Sequence, residues 1–208
     1  MLDQVLGFLQ ALTINLSIGL TVVVLALTIG FVTAVVRLGS FTLGSRSMNF
    51  LIGVLRTAPS YVLLFVVAAT LKATTEPDTS GGTIIPLVAL LLALLAGALA
   101  SCSDACVTFL QYRALGQTKQ AWLIVPNIFQ VFIVAVMTSG TGAVIGVHEA
   151  VHYTLALADT YETRVERIVL VGVVILFFAG LLGFAKFLST RLSAHLSARF
   201  SEKSCADS

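Results

Sequence analysis

The chain has 208 residues, of which 58% are hydrophobic and 11% are charged, and its formal net charge is +2 at pH 7. A soluble globular domain carries about 25% charged residues, so this composition excludes an ordinary soluble protein and predicts an integral membrane protein. The small net charge gives no support for nucleic acid as a partner. The length leaves no room for a soluble catalytic domain beside the membrane domain.

Five long apolar runs predict five transmembrane helices in an all-α membrane domain of residues 1–190. A helix needs about 20 apolar residues to cross the hydrocarbon core of a bilayer. The third and fourth runs are shorter and need weakly polar flanking residues such as Ser101 and Thr138 to reach that length. The predicted spans are residues 12–37, 48–72, 84–103, 123–138 and 167–189.

The segments that join these runs carry most of the polar residues. Residues 101–122 predict a cytoplasmic segment of one or two short interfacial helices that bend at Gly116. Residues 148–166 have apolar residues spaced by four, which predicts a helix that lies along the outer surface. Residues 191–208 are polar and basic, which predicts a frayed cytoplasmic tail.

The distribution of positive charge predicts the orientation of the chain in the membrane. Of the 12 Lys and Arg residues, eight fall on one side of a five-pass arrangement, three on the other, and Arg56 lies within the second run. Because positive residues favour the cytoplasm, we expect the N-terminus outside and the C-terminus in the cytoplasm.

A few polar side chains fall at membrane depth, where they must face protein or water. Arg56 either lines a solute path or extends its charged end to the cytoplasmic interface. Asn127 and Gln130 either contact a solute or only satisfy the end of a helix. Pro59 predicts a kink in the second span, and Pro126 predicts the start of the fourth. The candidate translocation residues are Arg56, Pro59, Tyr61, Asn127, Gln130, Thr138 and Ser139.

The segment His148-Glu149-Ala150-Val151-His152 matches the HExxH zinc pattern. On a helix, histidines at i and i+4 share a face and bind zinc, while the glutamate acts as a general base. The corresponding alternative is an intramembrane zinc metalloprotease with His148 and His152 as ligands. Its third ligand would be Asp159 or Glu166, and both lie in the predicted outer surface helix. Our preferred interpretation has no bound metal.

Three stretches of the sequence carry a family resemblance. Residues 19–38, GLTVVVLALTIGFVTAVVRL, open with Gly-Leu and end in Ala-x-x-Arg-Leu; residues 55–65, LRTAPSYVLLF, are similar to FRGTPLLVQLF. Residues 138–149, TSGTGAVIGVHE, are similar to a stretch that runs through SVIGVPE after a fourth helix. In this order the stretches resemble the membrane permease subunits of bacterial ATP-binding-cassette (ABC) importers, particularly the polar amino acid branch. The resemblance covers nearly the whole chain and implies the type I importer permease fold.

The resemblance also implies a cytoplasmic loop that docks onto an ATPase. In the family this loop begins with Glu-Ala-Ala, followed by Gly and later by Leu-Pro. Here Leu110-Gln111-Tyr112 stand at the first three positions, and the stretch of residues 116–126 is nearly one helical turn shorter than in the family. The docking residues that the resemblance implies are Arg113, Ala114, Leu115, Gly116, Thr118 and Lys119.

The implied function is that of an inner-membrane, multi-pass permease subunit that moves a small polar solute, an amino acid, by alternating access. The implied partners are an ABC ATPase dimer, a second permease subunit of the same or another sequence, an extracytoplasmic solute-binding protein and the lipid bilayer. We expect no cofactor in this chain, because it contains no phosphate loop and ATP and Mg²⁺ would bind to the partner ATPase. A gradient-driven transporter or a non-catalytic membrane subunit is a further alternative.

Overall fold

The computed structural model of the chain describes residues 2–39, 42–74 and 84–206, and these residues form helices and no strand. The predicted all-α fold is therefore confirmed. The elements in chain order are α1 (Leu2–Leu38), α2 (Thr42–Thr57), α3 (Ser60–Thr74), α4 (Ile84–Ala114), α5 (Thr118–Ala121), α6 (Ile124–Ser139), a 3-10 helix (Gly140–Ile145), α7 (Ala150–Asp159) and α8 (Arg164–Ala206).

Four helical segments are long and apolar enough to cross a membrane, and a fifth is a broken pair of helices. This agrees with the predicted number of spans and with a membrane protein. The four continuous segments are Asp3–Leu38, Ile84–Ala114, Ile124–Ile145 and Arg164–Arg191.

The predicted second span, residues 48–72, is not one kinked helix. Instead α2 ends at Thr57, α3 begins at Ser60, and the two segments meet at 97°. Pro59 explains the interruption, because proline has no N–H to donate and it disfavours helical geometry at the residue before it, Ala58. The prediction of a simple kink is wrong, since the chain changes direction at this proline.

The core of the fold lies around α4, which packs against α1, α2, α3 and α6. Small residues let these helices approach closely. A methyl group on Gly30 of α1 would lie only 3.0 Å from the backbone nitrogen of Ser103 in α4. Ala26 and Ala93 are almost completely buried at the same packing surfaces. Close contact between small residues is the main source of helix association in a bilayer, where apolar side chains gain little by leaving lipid.

Two helices extend past their predicted ends. α4 continues to Ala114, so residues 101–114 of the predicted interfacial segment, residues 101–122, belong to this long helix. α8 has 43 residues and continues to Ala206, so the backbone of the predicted frayed tail is helical that far. At 1.5 Å per residue α8 is about 65 Å long, roughly twice the thickness of a bilayer core.

α7 is the observed counterpart of the predicted outer helix of residues 148–166. It is shorter than predicted, because it ends at Asp159 and α8 begins at Arg164. α7 packs against α1 and α8. The fit against α1 is tight: the hydroxyl of Tyr153 lies 2.4 Å from where a methyl group on Gly7 would be. Any side chain at Gly7 would therefore displace the ring of Tyr153 from its place against α1.

Candidate functional site

A cavity of about 330 Å³ lies between the start of α3, the central and C-terminal part of α4, and α6. Its apolar wall consists of aliphatic residues from α4 and α6, such as Leu94 and Val131. Its polar lining combines hydroxyls, two amides and one carboxylate, which is the kind of lining that orients a polar ligand in an otherwise apolar site. The polar residues are Ser60, Ser101, Asp104, Thr108, Asn127, Gln130 and Thr138.

The helical repeat explains why these polar residues meet. Ser101, Asp104 and Thr108 are spaced by three and four residues, so they share one face of α4. Asn127, Gln130 and Thr138 share one face of α6 at offsets of three and eleven. The break at Pro59 then brings Ser60, the first residue of α3, to the same cavity.

Small residues keep the cavity open. Gly97, Ala98 and Ala105 of α4 and Ala135 of α6 line it. A methyl group added to Gly97 would lie 3.6 Å from the hydroxyl oxygen of Ser60, which is ordinary van der Waals contact. Alanine therefore fits at this position, whereas a longer side chain would enter the cavity.

Asp104, inside α4, connects the cavity to two arginines in the last turns of α1 and α2. Its Oδ1 accepts a hydrogen bond from Nη1 of Arg37 in α1 at 2.9 Å, and its Oδ2 pairs with Nη2 of Arg56 in α2. Arg37 also donates to Oγ of Ser103 at 2.9 Å and, through Nε, to Oδ1 of Asn49 at 2.7 Å. The carboxylate thus links α1, α2 and α4 beside the cavity.

The predicted translocation residues separate into three groups. Asn127, Gln130 and Thr138 line the cavity together. Pro59 does not line it, but the helix break at Pro59 directly precedes Ser60, which does. Arg56 does not line the cavity, but it pairs with Asp104, which does.

The other two predicted residues lie elsewhere. The side chain of Tyr61 is 61% exposed. Ser139 is fully buried away from the cavity, because a step of one residue turns the helix face by about 100° from that of Thr138.

Sequence reasoning missed Asp104 and Arg37. Asp104 was treated as part of a polar interfacial segment, whereas it lies on the long helix α4 at the level of the cavity. An available signal was the isolated acid directly after an apolar run, which is costly near a membrane unless it is paired. Nothing in the sequence indicated which arginines it pairs with.

Ser139 belongs to a second, buried polar network with Asn15 and Glu149. Nδ2 of Asn15 lies 2.9 Å from Oγ of Ser139 and 2.8 Å from Oε2 of Glu149. Oδ1 of Asn15 accepts the backbone N–H of Ala150 at 2.9 Å. All three side chains are at most 1% exposed. This network joins α1, α6 and the start of α7.

Glu149 caps the N-terminus of α7. Its carboxylate accepts the backbone N–H groups of Val151 at 2.8 Å and His152 at 3.0 Å, which otherwise have no partner within the helix. Burial raises the pKa of the Glu149 carboxyl, while these N–H donors and Asn15 act in the opposite direction.

The HExxH segment does not have the geometry of a helical zinc site. His148 precedes α7 and Glu149 is its cap, so the two histidines do not share one helix face. The two imidazole rings pack edge to face with centroids 4.5 Å apart. Among the described residues, no group of three His, Cys, Asp or Glu side chains is close enough to hold a metal ion.

Four of the implied docking residues, Arg113 to Gly116, form the exposed end of α4 and the turn after it, and Thr118 and Lys119 begin α5. Gly116 has φ +72°, a left-handed conformation that glycine adopts without strain. Its N–H donates to the carbonyl of Arg113 at 3.2 Å, and the next N–H, of Gln117, donates to Tyr112 at 2.9 Å. This pair of bonds is the Schellman motif that ends many helices.

Arg113, Ala114 and Leu115 are exposed on this turn, with Leu115 at 70%. α5 follows and contacts α4 and α8. The side chains of Thr118 and Lys119 lie outside the described part of the chain. The turn at Gly116 therefore presents a small exposed tip that the described helices do not cover.

No protein-family model matches the chain, and no curated protein sequence matches it. The structure is similar to a solved crystal structure described as an amino acid ABC transporter with histidines, with a TM-score of 0.69 over 96% of both chains. The sequence identity over this alignment is 18%, so the similarity establishes the fold. The chain therefore shares the fold of that transporter chain, and the resemblance found in its sequence is confirmed at the level of the fold.

Proposed function

We propose that the chain is the permease subunit of an ABC importer, which moves a small polar solute, an amino acid, across the inner membrane. The observation that carries the proposal is the polar cavity between α3, α4 and α6, inside a fold shared with an amino acid ABC transporter. Polar groups at membrane depth are costly unless they serve a path or a site, and this cavity gathers seven of them.

The chemistry of the lining supports a polar solute. Asn127 and Gln130 each offer a donor and an acceptor, and the hydroxyls of Ser60, Ser101 and Thr138 offer both as well. A solute with both amino and carboxylate groups would find partners for each. A purely apolar solute would leave these groups without hydrogen bonds, at a cost of about 1–3 kcal/mol for each buried group.

The transport cycle would be alternating access, driven by a separate ATPase dimer that binds ATP and Mg²⁺. The exposed tip at Gly116 is the docking surface in this proposal, because it lies at the end of α4, the helix that lines the cavity. A movement of this tip would be transmitted along one continuous helix to Ser101 and Asp104.

The positive charge on the same side as the tip supports a cytoplasmic location for it, an N-terminus outside and a C-terminus in the cytoplasm. A second permease subunit, identical or different, and an extracytoplasmic solute-binding protein complete the proposed complex. The same arrangement places α7 and the Asn15–Glu149 network at the outer side.

Purification of the tagged chain from its native membrane in mild detergent tests the proposal. We expect an ATPase with a phosphate loop to copurify in stoichiometric amount, with a second permease if the complex is heteromeric. A matched control is the same preparation from a Gly116→Trp variant, which should recover less ATPase. Repeated recovery of the chain without any ATPase, after crosslinking in the membrane, would contradict the proposal.

A further inference from the structure

Arg37 and Arg56 share the carboxylate of Asp104, but they are held very differently. The Arg37 side chain is 15% exposed and also bonds to Ser103 and Asn49, so it is fixed in place. The Arg56 side chain is 58% exposed, and among the described residues its side-chain partner is Asp104. Of the two arginines, Arg56 is the one that can leave Asp104 with little rearrangement.

The charges of this cluster do not balance. Two guanidinium groups face one carboxylate, and the other polar groups that line the cavity are neutral. One positive charge beside the cavity therefore remains without a counter-ion among the described residues. A carboxylate is the group that best completes such a cluster, because guanidinium presents a planar set of donors that binds carboxylates at two points.

We propose that Asp104 is an exchangeable counter-ion for Arg56, and that the carboxylate of a transported solute replaces it. This inference rests on the proposed function and adds the way the solute is recognised: its carboxylate binds to Arg56, whether or not the solute is a zwitterion. After the exchange, Arg56 pairs with the solute and Asp104 pairs with Arg37. Both arginines then have one anion each, and the ammonium of a zwitterion would bind to the hydroxyl and amide oxygens that line the cavity.

The exchange also has a mechanical consequence. The Arg56–Asp104 pair is a polar link between the last turn of α2 and α4, close to the break between α2 and α3. When the solute carboxylate pairs with Arg56, the Arg56–Asp104 ion pair breaks, while the Arg37–Asp104 ion pair between α1 and α4 remains. Solute binding would thus remove one polar link between α2 and α4 and leave the polar links between α1 and α4 intact.

The test uses the purified complex in proteoliposomes, with ATP supplied on the side of the membrane that the ATPase faces. The probes are the twenty protein amino acids and, for the one taken up fastest, its α-amide, which keeps the side chain and lacks the carboxylate. In the wild type we expect the α-amide to compete at least about 10-fold more weakly than the acid, the scale of one charge-assisted hydrogen bond.

Three variants separate the roles of the two residues. Arg56→Gln should raise KM for the acid about 10- to 100-fold and leave inhibition by the α-amide unchanged. Asp104→Asn should lower KM for the acid and raise ATP hydrolysis in the absence of solute, because Arg56 is no longer held. Asp104→Glu should restore solute-dependent hydrolysis. Arg46→Gln, a change of the same kind at an exposed position of α2, is the matched control and should behave as the wild type.

Two results would overturn the inference while leaving the proposed function standing. One is ATP-driven uptake in which acid and α-amide compete equally well. The other is an Arg56→Gln variant whose kcat falls while its KM for the acid is unchanged. Absence of ATP-driven uptake in the wild type would overturn the proposed function and this inference with it. Size-exclusion profiles of each variant confirm that the compared complexes are intact.

Discussion

Asn15 and Glu149 lie 134 positions apart in the chain and are joined in the interior by a hydrogen bond of 2.8 Å from Nδ2 to Oε2. The same amide accepts the backbone N–H of Ala150, so Asn15 and Glu149 together satisfy the first turn of α7. The contact fixes α7 to α1, and the bond from Asn15 to Ser139 adds α6. A single asparagine thus connects the three elements at this end of the molecule.

Asn15→Leu should destabilise the protein by about 2–4 kcal/mol, because it leaves the buried Ala150 N–H without its partner and removes one of the three hydrogen bonds to the Glu149 carboxylate. Thermal unfolding of the purified protein in detergent measures the effect. Thr13→Ala is the control, because Thr13 is exposed on the same helix and bonds only to a carbonyl of its own helix. Equal melting temperatures for the Asn15→Leu variant and the control would show that the network contributes nothing to stability.

The Glu149 carboxyl should make stability depend on pH. Burial raises its pKa above the ordinary value of 4.5. Between that value and the raised pKa, the folded protein keeps a proton that the unfolded chain has released. The contribution of Glu149 to the free energy of unfolding therefore falls as pH rises through this window, and it is constant above it.

The measurement is the difference in unfolding free energy between the wild type and Glu149→Gln across this window, since glutamine does not titrate. We expect the wild type to lose stability relative to the variant as pH rises. A difference that grows with pH would mean that the N–H donors outweigh burial and that the pKa is lowered.

Gly97 tests the cavity as the solute path. Gly97→Leu should abolish most uptake without loss of stability, because its side chain would occupy the space opposite Ser60. Gly97→Ala should retain uptake, since a methyl group there makes only ordinary contact. Gly172→Leu is the control on α8, where an added side chain meets nothing within 4 Å. Normal uptake by Gly97→Leu would place the path elsewhere.

Part of this architecture was predictable from the sequence alone. Apolar runs fix the number of spans, because the bilayer sets the length of a helix. Gly116 was predicted as a bend because glycine tolerates the left-handed conformation found there. Asn127, Gln130 and Thr138 were selected as polar residues at membrane depth, and they line one cavity.

Other features depend on contacts between residues far apart in the chain. The pairing of Asp104 with Arg37 and Arg56 requires three helices to pack in one particular register. The HExxH pattern reads the same whether its glutamate lies inside a helix or caps one, and here it caps α7. Pro59 predicts an interruption of the helix, but it does not predict the angle of 97° between α2 and α3, which both pack against α4.

Gly116→Trp should uncouple ATP-driven transport while the chain still inserts in the membrane. The added ring has space, since nothing lies within 4 Å of the position, but it would cover the exposed tip. Any residue other than glycine costs about 1–2 kcal/mol in this conformation, and asparagine tolerates it best. Gly116→Asn therefore controls for backbone strain and should retain most transport. Unchanged ATP-driven uptake by Gly116→Trp would contradict the docking role of this turn.

Chelation should leave transport unaffected, because the carboxylate of Glu149 is occupied by Asn15, Val151 and His152. We expect less than stoichiometric zinc in the purified protein, as measured by elemental mass spectrometry, and full uptake by His148→Ala. One zinc per chain that is lost in His148→Ala, together with a proteolytic activity abolished by chelators, would support the metalloprotease alternative instead.

The most direct test of the permease assignment is uptake by the purified complex in proteoliposomes, with ATP supplied and the proton gradient collapsed by an uncoupler. For an ABC permease we expect amino acid uptake that requires ATP, persists in the uncoupler and stops in Gly97→Leu. Uptake that continues without ATP and disappears with the proton gradient would rule out an ABC permease and assign the chain to a gradient-driven transporter.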